Sequence, residues 1–365
     1  MKNLNLLLFL LALAFAAGAQ PPKANYKIDT AIRHFMHSAN VPGVALAVVK
    51  NGRVMYVQTY GVSNLELGTP VKRNTVFELA SLTKQFTSGL IITLAHEGKI
   101  SLDDKLVKYI PNSPKGWEPI TIKQLLGHMA GLALAFEPKT DGSYLLNYSK
   151  ELMLKGAMET PMLSAPGLHW KYSDQGYFLA GYALEKATGQ NFDTLMINRI
   201  FKPIGMKNTR FLSQNDIIPN RAEGYIVDKD GHYKHNRRQW QFELTPHFGV
   251  MSTIDDMILY EQSLVKGDVI TPAVLKEAMA PYRVFSDNAD GQYAYGMGWQ
   301  LYNKGDRHVA EHAGYTGTVY IRDLTSGISV ILLTNRDANA GPSPIALAYE
   351  LSQLVDPSFP NINLH

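Results

Sequence analysis

The chain contains no cysteine. No disulfide can brace it, so its stability has to come from burial alone. It is also short of the apolar length a membrane asks for. The one long run, about Leu6 to Ala17, is too short to cross a bilayer, and no other segment reaches the roughly 18 uninterrupted apolar residues of a spanning helix. Excess charge of one sign is missing too, since 35 Lys and Arg stand against 32 Asp and Glu, a formal +3. That balance gives no basis for nucleic acid or an anionic surface as a partner. The most basic stretch, "KDGHYKHNRRQ" at 229–239, reads as a solvated loop around a turn at Asp230-Gly231. Internal repeats and low-complexity segments are absent from the sequence, and nothing in it sets an oligomeric state.

What is present begins with a targeting pattern. "MKNLNLLLFLLALAFAAGAQ" joins a cationic start at Lys2, the apolar run and the small residues Ala17-Gly18-Ala19 ahead of Gln20. It predicts a cleavable signal over residues 1–19 and an exported chain, secreted or periplasmic, with no membrane span after cleavage. Residues 20–365 then remain, length enough for one large domain or two lobes.

Ile28, Ile32, Phe35 and Met36 share one face of a predicted helix in "KIDTAIRHFMHSA". Two β-branched runs flank Asn51-Gly52, a pair whose tolerance of positive φ predicts a hairpin. From Ser81 onward Leu82, Phe86, Leu90 and Leu94 recur at helical spacing, ending near Gly98. Between residues 101 and 210, helical stretches such as "GYFLAGYALEKATG" and "FDTLMINRIF" alternate with Pro and Gly breaks. Past residue 290, "HVAEHAG", "GTVYIRDLT" and "GISVILLTN" predict an antiparallel meander, and a last helix opens at Ser343-Pro344. Strands at both ends with helices between imply an α+β chain. Residues 20–100 and 211–365 form its sheet-and-helix lobe, and 101–210 an inserted, mostly helical one. A cleft between them is the natural place for a site.

Within "ASLTKQF" a hydroxyl, Ser81, stands three places ahead of an amine, Lys84, where a helix begins. A Ser there is ordinarily a cap, but a capping box carries Glu or Gln at the third place, and an ammonium faces the positive end of the helix dipole. The chemical alternative is a nucleophile with its base. Dipole and burial both act to depress the Lys84 pKa, and the first N–H groups of the helix suit a developing oxyanion. The spacing alone is weak, because "SLVK" at Ser263 to Lys266 repeats it just before Gly267, where a helix ends, and there Ser263 is structural. Tyr172 and Asp174 in "KYSDQGYFLAG" precede another helix, where Asp174 as a cap and Tyr172 as packing are the ordinary roles. His312 leaves a strand beside Gly314 and Gly317.

Taken in order, these three elements resemble the penicillin-recognising serine hydrolases, the branch with class C β-lactamases, D,D-peptidases, D-amino-acid peptidases and related esterases. Ser81-Leu82-Thr83-Lys84 matches that family's Ser-x-x-Lys element. Tyr172-Ser173-Asp174 stands where it has Tyr-x-Asn, and His312-Ala313-Gly314 where it has Lys-Thr-Gly or His-x-Gly. "GKISLDDKLVKYIP", "ITIKQLLGHMAGL", "PIGMKNTRF" and "YGMGWQL" are similar as well, so the likeness runs from about residue 28 to 355. It implies a class C β-lactamase-like fold of three layers, an antiparallel sheet flanked by helices. It also implies Ser81 as nucleophile, Lys84 as proton acceptor or relay, and Tyr172 as general acid or base. Asp174, His312, Gly314 and Tyr315 would contact substrate, with the Ser81 and Tyr315 N–H groups as oxyanion hole. No cofactor or metal is implied, and the partner is a small-molecule or peptide substrate.

Two departures shift the expected substrate. Asn both donates and accepts hydrogen bonds, whereas ionised Asp174 only accepts, and facing Lys84 it would keep the ammonium charged. His312 lacks the permanent charge of the lysine version. An esterase, or a D-amino-acid peptidase or amidase, is therefore expected ahead of a β-lactamase or D-Ala-D-Ala carboxypeptidase. Two rivals stand beside this reading: a ligand-sensing homologue without turnover, and a zinc peptidase using His308, Glu311 and His312. The zinc pattern requires a helix, and the surrounding glycines and β-rich runs predict a strand. His128 reads as a loop support, and His34, His37, His232, His235 and His247 as surface or loop residues. Tyr225, Trp240, Phe248 and Trp299 line a cleft or pack in the core.

Overall fold

The computed structural model describes residues 23–135, 146–236, 240–338 and 341–362. The expected signal, residues 1–19, lies outside them. The main sheet has nine strands: β1 (Gly43–Lys50), β2 (Arg53–Asn64), β3 (Thr69–Pro70), β4 (Arg283–Asn288), β5 (Gly291–Tyr295), β6 (Gln300–Lys304), β7 (Arg307–Ala313), β8 (Val319–Asp323) and β9 (Ile328–Thr334). They run in the order β4-β5-β6-β7-β8-β9-β1-β2-β3, every pair antiparallel. Strands from both ends of the chain thus meet at β9 and β1, where Val44 pairs with Thr334 and Val48 with Val330. The hairpin at Asn51-Gly52 forms as expected, with φ of +50° and +77°.

Nine α-helices occur among the described residues: α1 (Lys23–Ser38), α2 (Thr83–His96), α3 (Ile122–Leu126), α4 (Lys150–Glu159), α5 (Asp174–Thr188), α6 (Phe192–Met196), α7 (Ile254–Lys266), α8 (Pro272–Ala278) and α9 (Pro344–Val355). Strand β1 reads "GVALAVVK", continuously apolar, because both of its faces are covered. Val44, Leu46 and Val48 join one core with Ile28, Ile32 and Phe35 of α1 and Leu347 and Leu351 of α9. Ala45, Ala47 and Val49 join the other with α2 and α7. Each Val or Leu buried this way stabilises by roughly 1.5–3 kcal/mol, and no disulfide is needed to hold the three layers.

Helix α2 is buried nearly all round, from Thr83 to Leu94 with Thr93 the exception. Leu82, Phe86, Leu90 and Leu94 supply its apolar contacts, but its polar groups must then find partners inside the protein. Thr87 Oγ1 donates to Pro246 O at 2.6 Å, Val250 N donates to Thr83 Oγ1 at 2.9 Å, and Ser88 pairs with Tyr177 at 3.0 Å. These bonds fasten the 246–250 segment along the first turns of α2, which brings its backbone next to Lys84. Helix α5 starts at a Ser173 cap, whose Oγ accepts from Gly176 N at 3.0 Å, and ends at left-handed Gly189. Helix α3 opens on a capping box formed by Thr121 and Gln124. Trp299 and Tyr225 are core residues, and the Trp240 side chain lies outside the described ones.

Candidate active site

Ser81 is delivered by a tight turn. The short strand Phe77–Glu78, paired with Val250–Ser252, leads through Leu79 into a 3-10 turn, Ala80–Leu82, which runs directly into α2. Ala80 takes a φ of +49° although it carries a side chain, a conformation that costs of order 1–3 kcal/mol unless its surroundings enforce it. The turn after β7 does the enforcing. Thr316 Oγ1 donates to Glu78 O at 2.7 Å and Thr318 Oγ1 to Leu79 O at 2.9 Å. Gly314 precedes them in the same turn, and a Cβ there would sit 2.4 Å from Leu79 O and 2.3 Å from Thr318 Oγ1. Only glycine lets β7 approach the serine turn so closely. Gly314 stood in a motif of the sequence, whereas nothing in the sequence marked the two threonines.

Lys84 is the hub. Its Nζ donates to Asp174 Oδ1 at 2.6 Å, His247 O at 2.8 Å and Ser81 Oγ at 3.1 Å, so all three ammonium protons are used. Burial alone would push this lysine down, as the sequence reading expected. The Asp174 and Tyr172 contacts outweigh burial, and its pKa moves up instead. Lys84 rests as an ammonium, as expected of an Asp174 that faces it, and not as the neutral base that burial alone would give. Burial works against the Asp174 charge as well, but the ammonium holds its carboxyl below the usual range. Asp174 is not the helix cap, a role taken by Ser173; it occupies the first turn of α5 and turns to Lys84 with 31% of its side chain exposed.

The Tyr172 ring stands with its centroid 4.7 Å from Lys84 Nζ. Burial raises the phenol pKa, while the Lys84 charge acts to lower it; the net shift is upward, so the group rests as a neutral phenol. His312, at the end of β7, lies with its ring centroid 6.2 Å from that of Tyr172. It is 2% exposed, and burial, then the Lys84 charge, push it down to about 3. His247, expected from sequence as a surface or loop residue, is a loop residue turned inward. It is buried, its ring is pushed down to about 3 by desolvation, and its carbonyl accepts from Lys84. No residue-type signal could have revealed that carbonyl, because every residue has one. His128 is also buried, 1% exposed, behind Tyr172. Ser81, Lys84, Tyr172, Asp174, His312 and Gly314 therefore converge on one place, and Tyr315 follows them in the turn after β7, its carbonyl accepting from Ala338 N at 2.7 Å.

The rival patterns come apart in space. His308 and His312 lie four positions apart on a strand, about 13 Å at strand rise, and Glu311 turns to the opposite face, toward Tyr349 of α9. A helix would have stacked the two imidazoles, and this strand does not. Ser263 sits in the last turn of α7, whose end is capped by left-handed Gly267.

A serine and a lysine one helical turn apart, closed in by a phenol and a carboxylate beside a strand end, are the parts of an acyl-transfer site. The chain belongs to the beta-lactamase family, whose model matches residues 28–354. It is 29% identical over 318 residues to penicillin-binding protein 4* of Bacillus subtilis (strain 168), covering 81% of this chain and 68% of that protein. It spans 58% of the length of protein flp from Staphylococcus aureus (strain MRSA252), at 27% identity over 297 residues and 79% of this chain. The octameric penicillin-binding protein homologue from Pyrococcus abyssi superposes with a TM-score of 0.79 at 25% identity, over 91% of this chain and 77% of that one. EstCE1, a hydrolase with promiscuous acyltransferase activity, gives a TM-score of 0.77 at 20% identity, over 91% and 98% of the two chains.

Proposed function

We propose that the protein is an exported serine hydrolase that cleaves an ester or amide through an acyl-Ser81 intermediate, with esters or D-amino-acid amides and peptides as favoured substrates. The observation that carries this reading is Ser81 Oγ held 3.1 Å from a fully buried Lys84 ammonium at the start of a helix, with the Tyr172 ring centroid 4.7 Å from that ammonium. Kinship to a penicillin-binding protein and the shared fold of a promiscuous acyltransferase support it. The pattern at residues 1–19 supports export, to the periplasm or the medium.

The protonation states shape the mechanism. Lys84 has no lone pair to offer and Tyr172 is no phenolate, so proton movement runs as a relay through the phenol. As Ser81 Oγ bonds to the carbonyl carbon, its proton passes to the Tyr172 oxygen. The phenol's own proton passes to the leaving oxygen or nitrogen, whose bond to carbon breaks. Water reverses the relay: it attacks the acyl carbon, gives a proton to Tyr172, and the phenol's proton returns to Ser81 as the acid leaves. Lys84 contributes a fixed positive charge beside the developing alkoxide, and the Ser81 and Tyr315 N–H groups face the carbonyl oxygen.

Charge selects the substrate. Among the described side chains meeting at Ser81, Lys84 is the only cation, and its donors are already taken. His312 is neutral, so a substrate carboxylate finds no counter-charge at the third element. His312→Lys is expected to raise kcat/KM for carboxylate-bearing substrates about tenfold relative to neutral ones, the worth of one charge-assisted hydrogen bond. Equal effects on both classes would count against this selectivity. Asp174→Asn removes the anion that keeps Lys84 protonated and adds a donor for a substrate carbonyl. It is expected to raise amide turnover relative to ester by about tenfold, and an unchanged ratio would show that Asp174 does not set that preference.

A panel of p-nitrophenyl esters, D-amino-acid p-nitroanilides and a chromogenic cephalosporin tests the function, with the Ser81 variant as control. Turnover of either of the first two that is lost with Ser81 is expected. Efficient turnover of the cephalosporin alone would move the assignment to β-lactamase, and acylation without release would favour the ligand-sensing reading.

A further inference from the structure

Behind the site runs a chain of hydrogen bonds that no motif contains. Ser173 N donates to His128 Nδ1 at 3.1 Å, His128 Nε2 meets Tyr295 Oη at 3.2 Å, Tyr295 Oη meets His312 Nε2 at 3.2 Å, and His312 Nδ1 meets Ala313 O at 2.9 Å. Both ends are backbone groups of fixed polarity. A backbone N–H only donates, so His128 Nδ1 accepts and its proton sits on Nε2, aimed at Tyr295. A backbone carbonyl only accepts, so His312 carries its proton on Nδ1, and its Nε2 accepts from the Tyr295 hydroxyl. Each bond then has one proton, with both rings neutral. A second proton on His312 would make Nε2 a donor and leave the Tyr295 oxygen facing two donors.

His128 is placed for this task at a cost. It adopts a φ of +59° with a full side chain, immediately after α3, a strained conformation that its surroundings must enforce. Its carbonyl accepts from Lys171 N at 2.9 Å, so ring and backbone together grip residues 171–173, the segment that carries Tyr172 and leads into Asp174. Its ring centroid lies 4.4 Å from that of Tyr172.

We propose that His128 is a positioning residue: through Ser173 it sets the backbone that presents Tyr172 and Asp174, and through Tyr295 it holds His312 as the uncharged Nδ1–H tautomer. One buried ring thereby couples the second and third elements of the site and keeps a cation out of the third. The kinetic part of the test rests on Ser81 being the nucleophile; the spectroscopic part does not.

Nitrogen-15 labelling of the histidines and long-range proton–nitrogen spectra at pH 7 report which ring nitrogens are protonated. His128 is expected to be protonated on Nε2 only and His312 on Nδ1 only. Tyr295→Phe keeps the ring and cuts the chain, and is expected to broaden or redistribute the His312 tautomer signals. For ester hydrolysis, His128→Ala should lower kcat by about 30-fold with little change in KM. His128→Asn, whose amide oxygen can still accept from Ser173 N, should recover about tenfold of that loss, in line with the worth of one or two positioning hydrogen bonds. A His312 that is charged at pH 7 or protonated on Nε2 would overturn the proposal, as would a folded His128→Ala with kcat within about twofold of wild type. If the alanine variant does not fold, or the wild type turns over no ester, the wild-type tautomer pattern alone decides.

Discussion

Replacing Ser81 with Ala is expected to lower turnover of every substrate by at least about 10²-fold while the fold persists, the loss that follows removal of a covalent nucleophile. The structure gives reason to expect folding intact. Ser81 is only partly buried, and the hydroxyl's loss leaves Lys84 with Asp174 and the His247 carbonyl as acceptors. The core formed by Leu82 with Phe86 and Leu90 of α2 is untouched. Circular dichroism and thermal melting check the fold, and the ester and p-nitroanilide panel checks the activity. Unchanged turnover in a folded Ser81→Ala protein would refute the nucleophile assignment.

Glu311→Gln is expected to stabilise the protein at pH 8 by about 3 kcal/mol without lowering activity. Glu311 lies on the far face of β7, buried, with Oε2 lacking a hydrogen-bond partner among the described residues, and burial pushes its pKa from 4.5 up to about 7 despite the nearby Tyr349 hydroxyl. A carboxyl whose folded pKa lies above its unfolded value destabilises the fold once pH exceeds the folded value, and does so progressively less as pH falls to the unfolded one. Gln has nearly the same shape and cannot ionise, so its advantage should be full above pH 7 and fade toward pH 4.5. Urea unfolding across that range measures it, and destabilisation by Gln at pH 8 would contradict the account. Retained ester turnover in the same variant separates this reading from the zinc-peptidase one, in which Glu311 is the general base.

The layered fold was legible because its signals are local and redundant. Strand β1 announces a doubly covered strand by its unbroken apolar run, and Asn51-Gly52 specifies a turn that few other pairs can make. Ser343-Pro344 marks the start of α9 with a cap and a ring that already has helical φ. At the site, the residues read correctly as neighbours were those carrying unusual chemistry at fixed positions in ordered motifs, from Ser81 to His312. Their protonation states were not legible. Whether burial or a counter-ion wins at Lys84 depends on where Asp174 points, and that is set by Ser173 taking the cap and by the chain crossing near Leu134, whose carbonyl accepts from Asp174 N at 2.8 Å. The part His247 plays was not foreseen, because this loop residue acts through a backbone atom. Tyr295 was missed because a tyrosine in a strand carries no sign of what its hydroxyl meets across the sheet.

Most direct is intact-mass analysis after brief incubation with a reactive acyl or phosphonate probe, followed by peptide mapping. One adduct per chain, carried on Ser81 and lost in the Ser81→Ala protein, is the predicted result. An adduct on another residue, or none beside undiminished catalysis, would contradict an enzyme that works through this serine.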